Sequence, residues 1–148
     1  MKKSTLYYKI GAWALIMLGI GHLFAHISLS MMPQTAEQIS MAEAMTQFQI
    51  HILGTESNLM NFHNGYSLMM GILVLSYGLV NLLLVKHNSN PSVNLQTILI
   101  LNSFMAMITC ILSIRLFFML PIALSGVASV AFALAYIDNL KKEAQAIL

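Results

Sequence analysis

Four long apolar stretches constrain the fold of this chain more than any other feature of its sequence. They cover about residues 10–31, 62–85, 93–114 and 118–137. Each is long enough to cross a hydrocarbon core, for which a helix needs about 20 residues. Because only helices and closed barrels satisfy their backbone hydrogen bonds in lipid, these stretches predict four membrane-spanning α-helices.

The composition agrees with a membrane protein. Asp, Glu, Lys and Arg make up 8% of the 148 residues, against about 25% in a soluble domain. The length suits one domain, so we expect a single four-pass membrane domain. The formal net charge of +2 is too small to indicate nucleic acid as a partner. Cys110 lies within an apolar stretch. Because it is the single cysteine of the sequence, an intramolecular disulfide is excluded.

The basic residues predict the orientation. Six lysines fall on one side of a four-pass topology: Lys2, Lys3, Lys9, Lys86, Lys141 and Lys142. The other side carries Arg115 together with Glu37, Glu43 and Glu56. The positive-inside rule therefore puts both termini and the 86–92 loop in the cytoplasm.

The connection over residues 32–61 predicts one more, shorter helix. Thr35 and Gln38 have the spacing of a capping box, and apolar residues then recur at helical intervals before Gly54. We expect an amphipathic helix at about 36–53, on the outer membrane surface or over the mouth of the bundle. The fold prediction is thus all-α: an antiparallel four-helix membrane bundle, N-in and C-in, with a short amphipathic helix in the first outer loop.

Small and polar residues at helical spacing indicate the faces on which the spans pack. Such residues include Gly11 and Gly19 on the first span, Tyr77 and Asn81 on the second, Asn102 and Ala106 on the third, and Ser125 and Ser129 on the fourth. In lipid, helices associate through close packing of small residues and through interhelical hydrogen bonds. Tyr7, Tyr8, Trp13 and Tyr136 are expected at headgroup depth, where amphipathic rings anchor a span.

Ionisable side chains gather at one level of the predicted bundle, in its outer half. They are His22, His26, His51 and His63, together with Arg115 and Glu56. Because an ionisable group within a membrane is costly, it indicates a functional site by default. From this level we select six candidate ligand-binding residues: His22, His26, His63, Tyr66, Arg115 and Glu56.

The histidines of the first span suggest a specific site. His22 and His26 lie four residues apart, so they project from one side of a helix. With His63 they can supply three nitrogen ligands and leave a fourth position open, as in a catalytic zinc site. The same rings can instead hold a haem or carry protons. A further interpretation, which we favour, is that they donate hydrogen bonds to backbone carbonyls or serines of neighbouring helices.

Arg115 is the only arginine, and it lies on the side that the positive-inside rule disfavours. Its side chain can extend toward the lipid headgroups. It can also pair with Glu56, or bind the carboxylate or phosphate of a substrate. The sequence leaves these alternatives open.

Two segments resemble a group of small, uncharacterised bacterial four-helix membrane proteins. The segments are YYKIGAWALIMLGIGHLFAH and NLMNFHNGYSLMMGILVLSYGLVNLLL, within the first 85 residues. The first contains a G-x-G-H element, Gly19, Gly21 and His22, and the second an aromatic residue before a Gly–aromatic pair, Phe62, Gly65 and Tyr66. The overall plan is also similar to that of the DoxX-like proteins. The resemblance implies a four-helix fold in a bacterial inner membrane, and it implies no catalytic residues.

Two classes of function follow from these observations. The first is a bundle without catalysis, either a complex subunit or a binder whose outer polar pocket holds a lipid, a quinone or a partner helix. Homo-oligomers are compatible with this class. The alternative is a membrane-embedded metal- or haem-dependent redox enzyme that uses His22, His26 and His63. The sequence has no HExxH, CxxC or CxxCH motif to favour the second class, and whether the protein is an enzyme stays open.

Overall fold

The computed structural model describes residues 3–87 and 95–147, in which helices dominate. In chain order, the elements are α1 (Lys3–Met31), α2 (Ala36–Gln47), β1 (Gln49–Ile52), β2 (Thr55–Asn58), α3 (Leu59–His87), α4 (Leu95–Leu116) and α5 (Met119–Ile147). By length and composition, α1, α3, α4 and α5 are suited to cross a membrane. The prediction of an all-α protein with four apolar spans is therefore confirmed at this level. Most of the predicted 86–92 loop lies outside the described residues.

The long helices extend beyond the apolar stretches that predict them. α1 begins seven residues before the predicted span at residue 10, and α5 continues about ten residues beyond residue 137. Hydropathy marks where lipid contact ends, whereas helical hydrogen bonds continue through polar residues such as Lys141. We call the end of the bundle near Lys3 and Ile147 the terminal end, and the opposite end, near α2 and the strands, the hairpin end.

Two hydrogen bonds define how α1 packs against α3. The Tyr8 hydroxyl donates to Asn81 Oδ1 at 2.5 Å, and His22 Nε2 lies 3.0 Å from the carbonyl oxygen of Ser67. The residue numbers rise along one helix and fall along the other, so the two helices run antiparallel. Both contacts join the helices that make the most extensive interface of α1.

The other face of α1 contacts α5. The backbone N–H of Ser4 donates to Asp138 Oδ2 at 2.8 Å, near the terminal end. Toward the hairpin end, a Cβ added at Gly21 would lie 4.0 Å from Leu120 Cδ2. These contacts make α1 and α5 antiparallel as well. α4 packs along α5, and it is joined to α3 by side-chain hydrogen bonds near the terminal end.

Glycines set the closest approaches between α1 and α3. A Cβ added at Gly19 would lie 2.5 Å from the backbone nitrogen of Leu75. One added at Gly78 would lie 2.7 Å from Ile16 Cγ1. The absence of a side chain at both positions is what lets the two backbones come together, which is the role small residues have between membrane helices. The predicted packing face at Gly19 is confirmed.

Tyr8 lies in the protein core, so the prediction that its ring contacts the headgroups as an anchor is wrong. Its side chain is 1% exposed, and its ring meets Phe132 edge to face with centroids 5.4 Å apart. Gly11 makes room for Phe132, since a Cβ there would lie 2.9 Å from the ring. The hydroxyl can be buried because Asn81 accepts its hydrogen bond. Trp13, five residues further along α1, is 54% exposed, and its role as a headgroup anchor stays a prediction.

The segment between α1 and α3 is only partly the predicted helix. The capping box of Thr35 and Gln38 is present and begins α2. The helix ends at Gln47 instead of continuing to about residue 53, because the next residues form an antiparallel hairpin. Leu53 and Gly54 connect its strands with φ angles of 50° and 80°. Two successive left-handed residues are typical of a type I′ turn, whose twist suits a two-residue hairpin loop.

Candidate functional site

His22 lies between α1 and α3 as a hydrogen-bonding residue. Its Nε2 is 3.0 Å from the carbonyl oxygen of Ser67 and 3.1 Å from the hydroxyl oxygen of the same residue. A carbonyl only accepts, so we assign the proton to Nε2, which leaves Nδ1 as the acceptor nitrogen when the ring is neutral. Gly71 makes room for the ring, since a Cβ there would lie 3.2 Å from His22 Cδ2. For His22, the favoured interpretation from the sequence is confirmed.

The three histidines do not form the predicted metal-binding set. Within residues 3–87 and 95–147, no three His, Cys, Asp or Glu side chains are grouped so as to hold a metal ion. His22 directs Nε2 to Ser67, and His63 is exposed on α3. His26 is partly buried one turn beyond His22. The lack of a grouped set among the described residues corrects the expectation that the three rings converge on one ion.

Tyr66 and Glu56 are on the surface. Tyr66 is 54% exposed, and its ring stacks on Phe62 with centroids 6.4 Å apart. Glu56 pairs across the hairpin with His51, with Oε1 and Nε2 separated by 3.3 Å. Strand register sets this pairing, because residues 51 and 56 lie opposite each other. Both side chains are largely exposed, and an exposed ion pair adds little stability.

Arg115 is exposed in the last turn of α4, where a positive charge interacts favourably with the helix dipole. Glu56 is engaged with His51 on the hairpin. The six residues selected from the sequence are therefore distributed between one helix interface, at His22, and several surface positions. They share the hairpin half of the molecule without forming one enclosed pocket.

A polar network that sequence reasoning did not single out lies nearer the terminal end. It comprises Tyr8, Tyr77, Asn81 and Asn102, and it links α1, α3 and α4. Asn102 Nδ2 donates to Asn81 Oδ1 at 2.6 Å and to the Tyr8 hydroxyl at 3.2 Å. The Tyr77 hydroxyl donates to Asn102 Oδ1, and Asn81 Nδ2 donates to the Tyr77 carbonyl at 2.9 Å. The signal was partly visible, since Tyr77, Asn81 and Asn102 all belong to predicted packing faces.

Three of the four members of this network are buried. Tyr8, Asn81 and Asn102 are 1%, 1% and 2% exposed, whereas Tyr77 is 36% exposed. In the part of the chain that the structure describes, every buried side-chain nitrogen and oxygen has a hydrogen-bond partner. Buried polar groups that are satisfied by one another favour one pairing of helices over others. The hydrogen bonds of this network therefore stabilise the contacts of α3 with α1 and α4.

The hairpin end is exposed, in contrast to the buried polar network. We call α2 and the two strands, residues 36–58, the outer unit. α2 is described in full and none of its residues is buried. A shallow groove of about 290 Å³ runs along it, lined by residues that include Ile39, Glu43 and Gln47. Residues 32–61 contain Glu37, Glu43 and Glu56 but no lysine or arginine.

At the hairpin end, α1 projects beyond the start of α5. The start of α5 is level with Gly21, which lies beside Leu120. α1 continues from there to Met31, about ten residues and so about 15 Å further. The projecting part exposes large apolar side chains, including Phe24 at 72% and Leu29 at 62%. The outer unit is attached to this projection.

No family model, curated protein or solved structure matches this chain. The resemblance to small bacterial four-helix proteins and to the DoxX-like plan therefore stays a prediction. A function has to be inferred from the chain's own contacts, burial and charge.

Proposed function

We propose that this protein is a four-pass subunit of a membrane complex, in a bacterial inner membrane, with both termini cytoplasmic. Its outer unit docks a partner protein that carries basic residues. The lysines at the terminal end support this orientation, because positive residues favour the cytoplasmic side. The acidic outer unit then lies on the opposite side.

The observation that carries the proposal is that α2 is a regular helix with no buried residue. α2 has 12 residues, none of them buried. An isolated helix of that length is marginal in water, and so is an isolated two-stranded hairpin. A capping box and a type I′ turn stabilise the unit locally. Its exposed apolar side chains, among them Met41 at 68% and Phe48 at 62%, are suited to burial against a partner.

Charge favours a protein partner over the membrane surface. Helices that lie in a membrane interface are rich in lysine and arginine on their polar face. Residues 32–61 have three glutamates and no basic residue, so anionic headgroups would repel them. Basic side chains complement the same glutamates, and complementary charge steers association and selects the partner.

The interior supports a subunit rather than an enzyme. Close glycine contacts fill the α1–α3 interface at Gly19 and Gly78. The redox alternative requires His22, His26 and His63 around one metal ion or haem, and within residues 3–87 and 95–147 no three His, Cys, Asp or Glu side chains are grouped so as to hold a metal ion. The surfaces that remain for recognition are therefore on the outside of the bundle.

Site-specific photo-crosslinking in intact cells tests the proposal. A crosslinking side chain at Met41 should give one discrete protein adduct, whereas one at Phe104, which is 54% exposed on α4, should give lipid adducts only. Replacing Glu37, Glu43 and Glu56 together with glutamine should lower the Met41 adduct at least tenfold. Replacing the uncharged groove residues Gln34 and Gln47 with alanine is the matched control and should leave it unchanged.

The crosslinked segment of the captured protein must then carry basic residues that contribute to the contact. Replacing the basic residues of its crosslinked segment with glutamine should lower the yield to the same extent. Two results would contradict the proposal. One is that Met41 gives lipid adducts alone, and the other is a protein adduct whose yield does not change when the three glutamates are replaced with glutamine.

A further inference from the structure

A second uncovered surface lies within the spans, on the terminal half of the bundle. It is a groove of about 410 Å³ between α1 and α5, with an apolar lining. Tyr7 and Ile10 line it from α1, and Gly126, Val130 and Leu134 line it from α5 at steps of four residues. Its volume is within the range of small-molecule sites, about 300–1,000 Å³. It is separate from the outer unit and does not depend on the proposed partner.

Two lysines stand at the mouth of the groove. Lys3 precedes Tyr7 by four residues, and Lys141 follows Leu134 by seven. On a helix these spacings keep residues on one face, so Lys3 and Lys141 continue the groove-lining faces of α1 and α5, one and two turns nearer the terminal end. Both residues are exposed.

The acidic residue on the same face is already engaged. Asp138 follows Leu134 by four residues, and its carboxylate accepts a hydrogen bond from the backbone N–H of Ser4 at 2.8 Å. A carboxylate at this place is stabilised by the positive end of the α1 dipole. The carboxylate keeps its negative charge, so Lys3 and Lys141 together exceed it by one positive charge, which an anion from outside the chain can balance.

We propose that this groove binds one acyl chain of an anionic phospholipid, whose phosphate is held by Lys3 and Lys141. An apolar lining by itself does not distinguish one lipid from another, because all lipids offer acyl chains. The charges at the mouth supply the selectivity, about fivefold for each basic residue near an anionic headgroup. A second copy of the chain fits less well, because two copies inserted in the same orientation would bring their lysines to the same level, where like charges repel.

The lining offers a substitution that fills the groove without damaging the fold. A Cβ added at Gly126 would have Cys110 Sγ at 3.8 Å as its nearest neighbour, an ordinary contact. Because Gly126 itself lines the groove, the side chain of Gly126→Leu should occupy part of it. Ala123→Leu is the matched control, because residue 123 is exposed on the same helix and does not line the groove.

Native mass spectrometry of the full chain in detergent measures the binding. The delipidated protein is mixed with equal amounts of phosphatidylglycerol and phosphatidylcholine. The unaltered chain and Ala123→Leu should retain phosphatidylglycerol at least fivefold over phosphatidylcholine. Gly126→Leu should lower retention of phosphatidylglycerol at least fivefold, and Lys3→Gln combined with Lys141→Gln should abolish the preference between the two lipids.

Three results would overturn the inference. One is equal retention of the two lipids by the unaltered chain. Another is full retention of phosphatidylglycerol by Gly126→Leu. The third is a dimer that Gly126→Leu dissociates while lipid retention is unchanged, which would make the groove a helix-docking site. If Gly126→Leu does not fold, Val130→Trp replaces it, because Val130 also lines the groove and is 61% exposed.

Discussion

Replacing Asn81 with leucine should destabilise the protein by more than the hydrogen bonds that it removes. Asn81 lies at the centre of the polar network and is 1% exposed. Its Oδ1 accepts from the Tyr8 hydroxyl and from Asn102 Nδ2, so one side chain joins α3 to both α1 and α4. Leucine has a similar size, so the substitution removes the polar atoms and leaves little cavity.

The expected magnitude has two parts. Interhelical hydrogen bonds between membrane helices contribute about 0.6 kcal/mol each, so the loss of two costs about 1 kcal/mol. The larger part comes from Tyr8, whose buried hydroxyl loses its acceptor, at a cost of about 1–3 kcal/mol. Asn102 presents its donating amide nitrogen to this hydroxyl and does not replace the acceptor. The free energy of unfolding should therefore fall by about 2–4 kcal/mol.

A thermodynamic cycle that combines Asn81→Leu with the pair Tyr8→Phe and Asn102→Leu tests this reasoning. That pair removes both donors from which Asn81 Oδ1 accepts, so adding Asn81→Leu in that background leaves neither of them unpaired and should cost only about 1 kcal/mol. The measurement is the free energy of unfolding in mixed micelles, followed by circular dichroism as sodium dodecyl sulfate is added. Thr109→Val is the control, since this partly buried hydroxyl donates within its own helix, to the Met105 carbonyl. If the cost of Asn81→Leu is the same in both backgrounds to within about 0.5 kcal/mol, the explanation by an unpaired donor is refuted.

Three further predictions concern packing, the hairpin and orientation. Gly19→Leu should lower the free energy of unfolding by about 3 kcal/mol or more, because its Cβ would meet the α3 backbone. Gly65→Leu is the control and should leave the stability unchanged, because nothing lies within 4 Å of a Cβ at Gly65. Equal melting temperatures of the two variants in detergent would contradict the predicted difference. Gly54→Ala should cost about 1–2 kcal/mol at φ 80° and speed amide exchange in residues 49–58; unchanged exchange would argue against the turn. A reporter fused after Leu148 should be active in the cytoplasm and one inserted in α2 outside, and an external C-terminus would reverse the proposed orientation.

The apolar spans could be predicted because hydropathy reports directly on the cost of placing backbone and side chains in lipid. Their limits could not, since a helix does not end where lipid does: α5 continues through Lys141 to Ile147. The hairpin was missed for a related reason. Ile52 fits a helical stripe that begins at Ile39, and together with Ile50 it also fits the two-residue alternation of a strand. The left-handed turn at Gly54 decides in favour of the strand.

The position of single polar side chains was harder to predict than the helices. Tyr8 lies near lysines in the sequence, which suggests headgroup depth. Its burial depends on Phe132 and Asn81, which are distant in sequence. His22 was correctly expected to bond to a serine or a carbonyl of a neighbouring helix. The proposed convergence with His63 required a relative rotation of α1 and α3 that spacing within each helix does not determine.

The contrast between the two ends of the molecule argues for where recognition takes place. Near the terminal end, Asn81 and Asn102 bind each other and two tyrosines, so their polar atoms are satisfied within the chain. At the hairpin end, the glutamates of the outer unit are exposed, and α2 buries none of its side chains. Association can lower the free energy of an exposed surface by burying it. Opening an interior network whose hydrogen bonds are satisfied raises the free energy, because polar groups lose their partners. Binding is therefore expected outside the closed bundle, on surfaces whose charges specify the occupant.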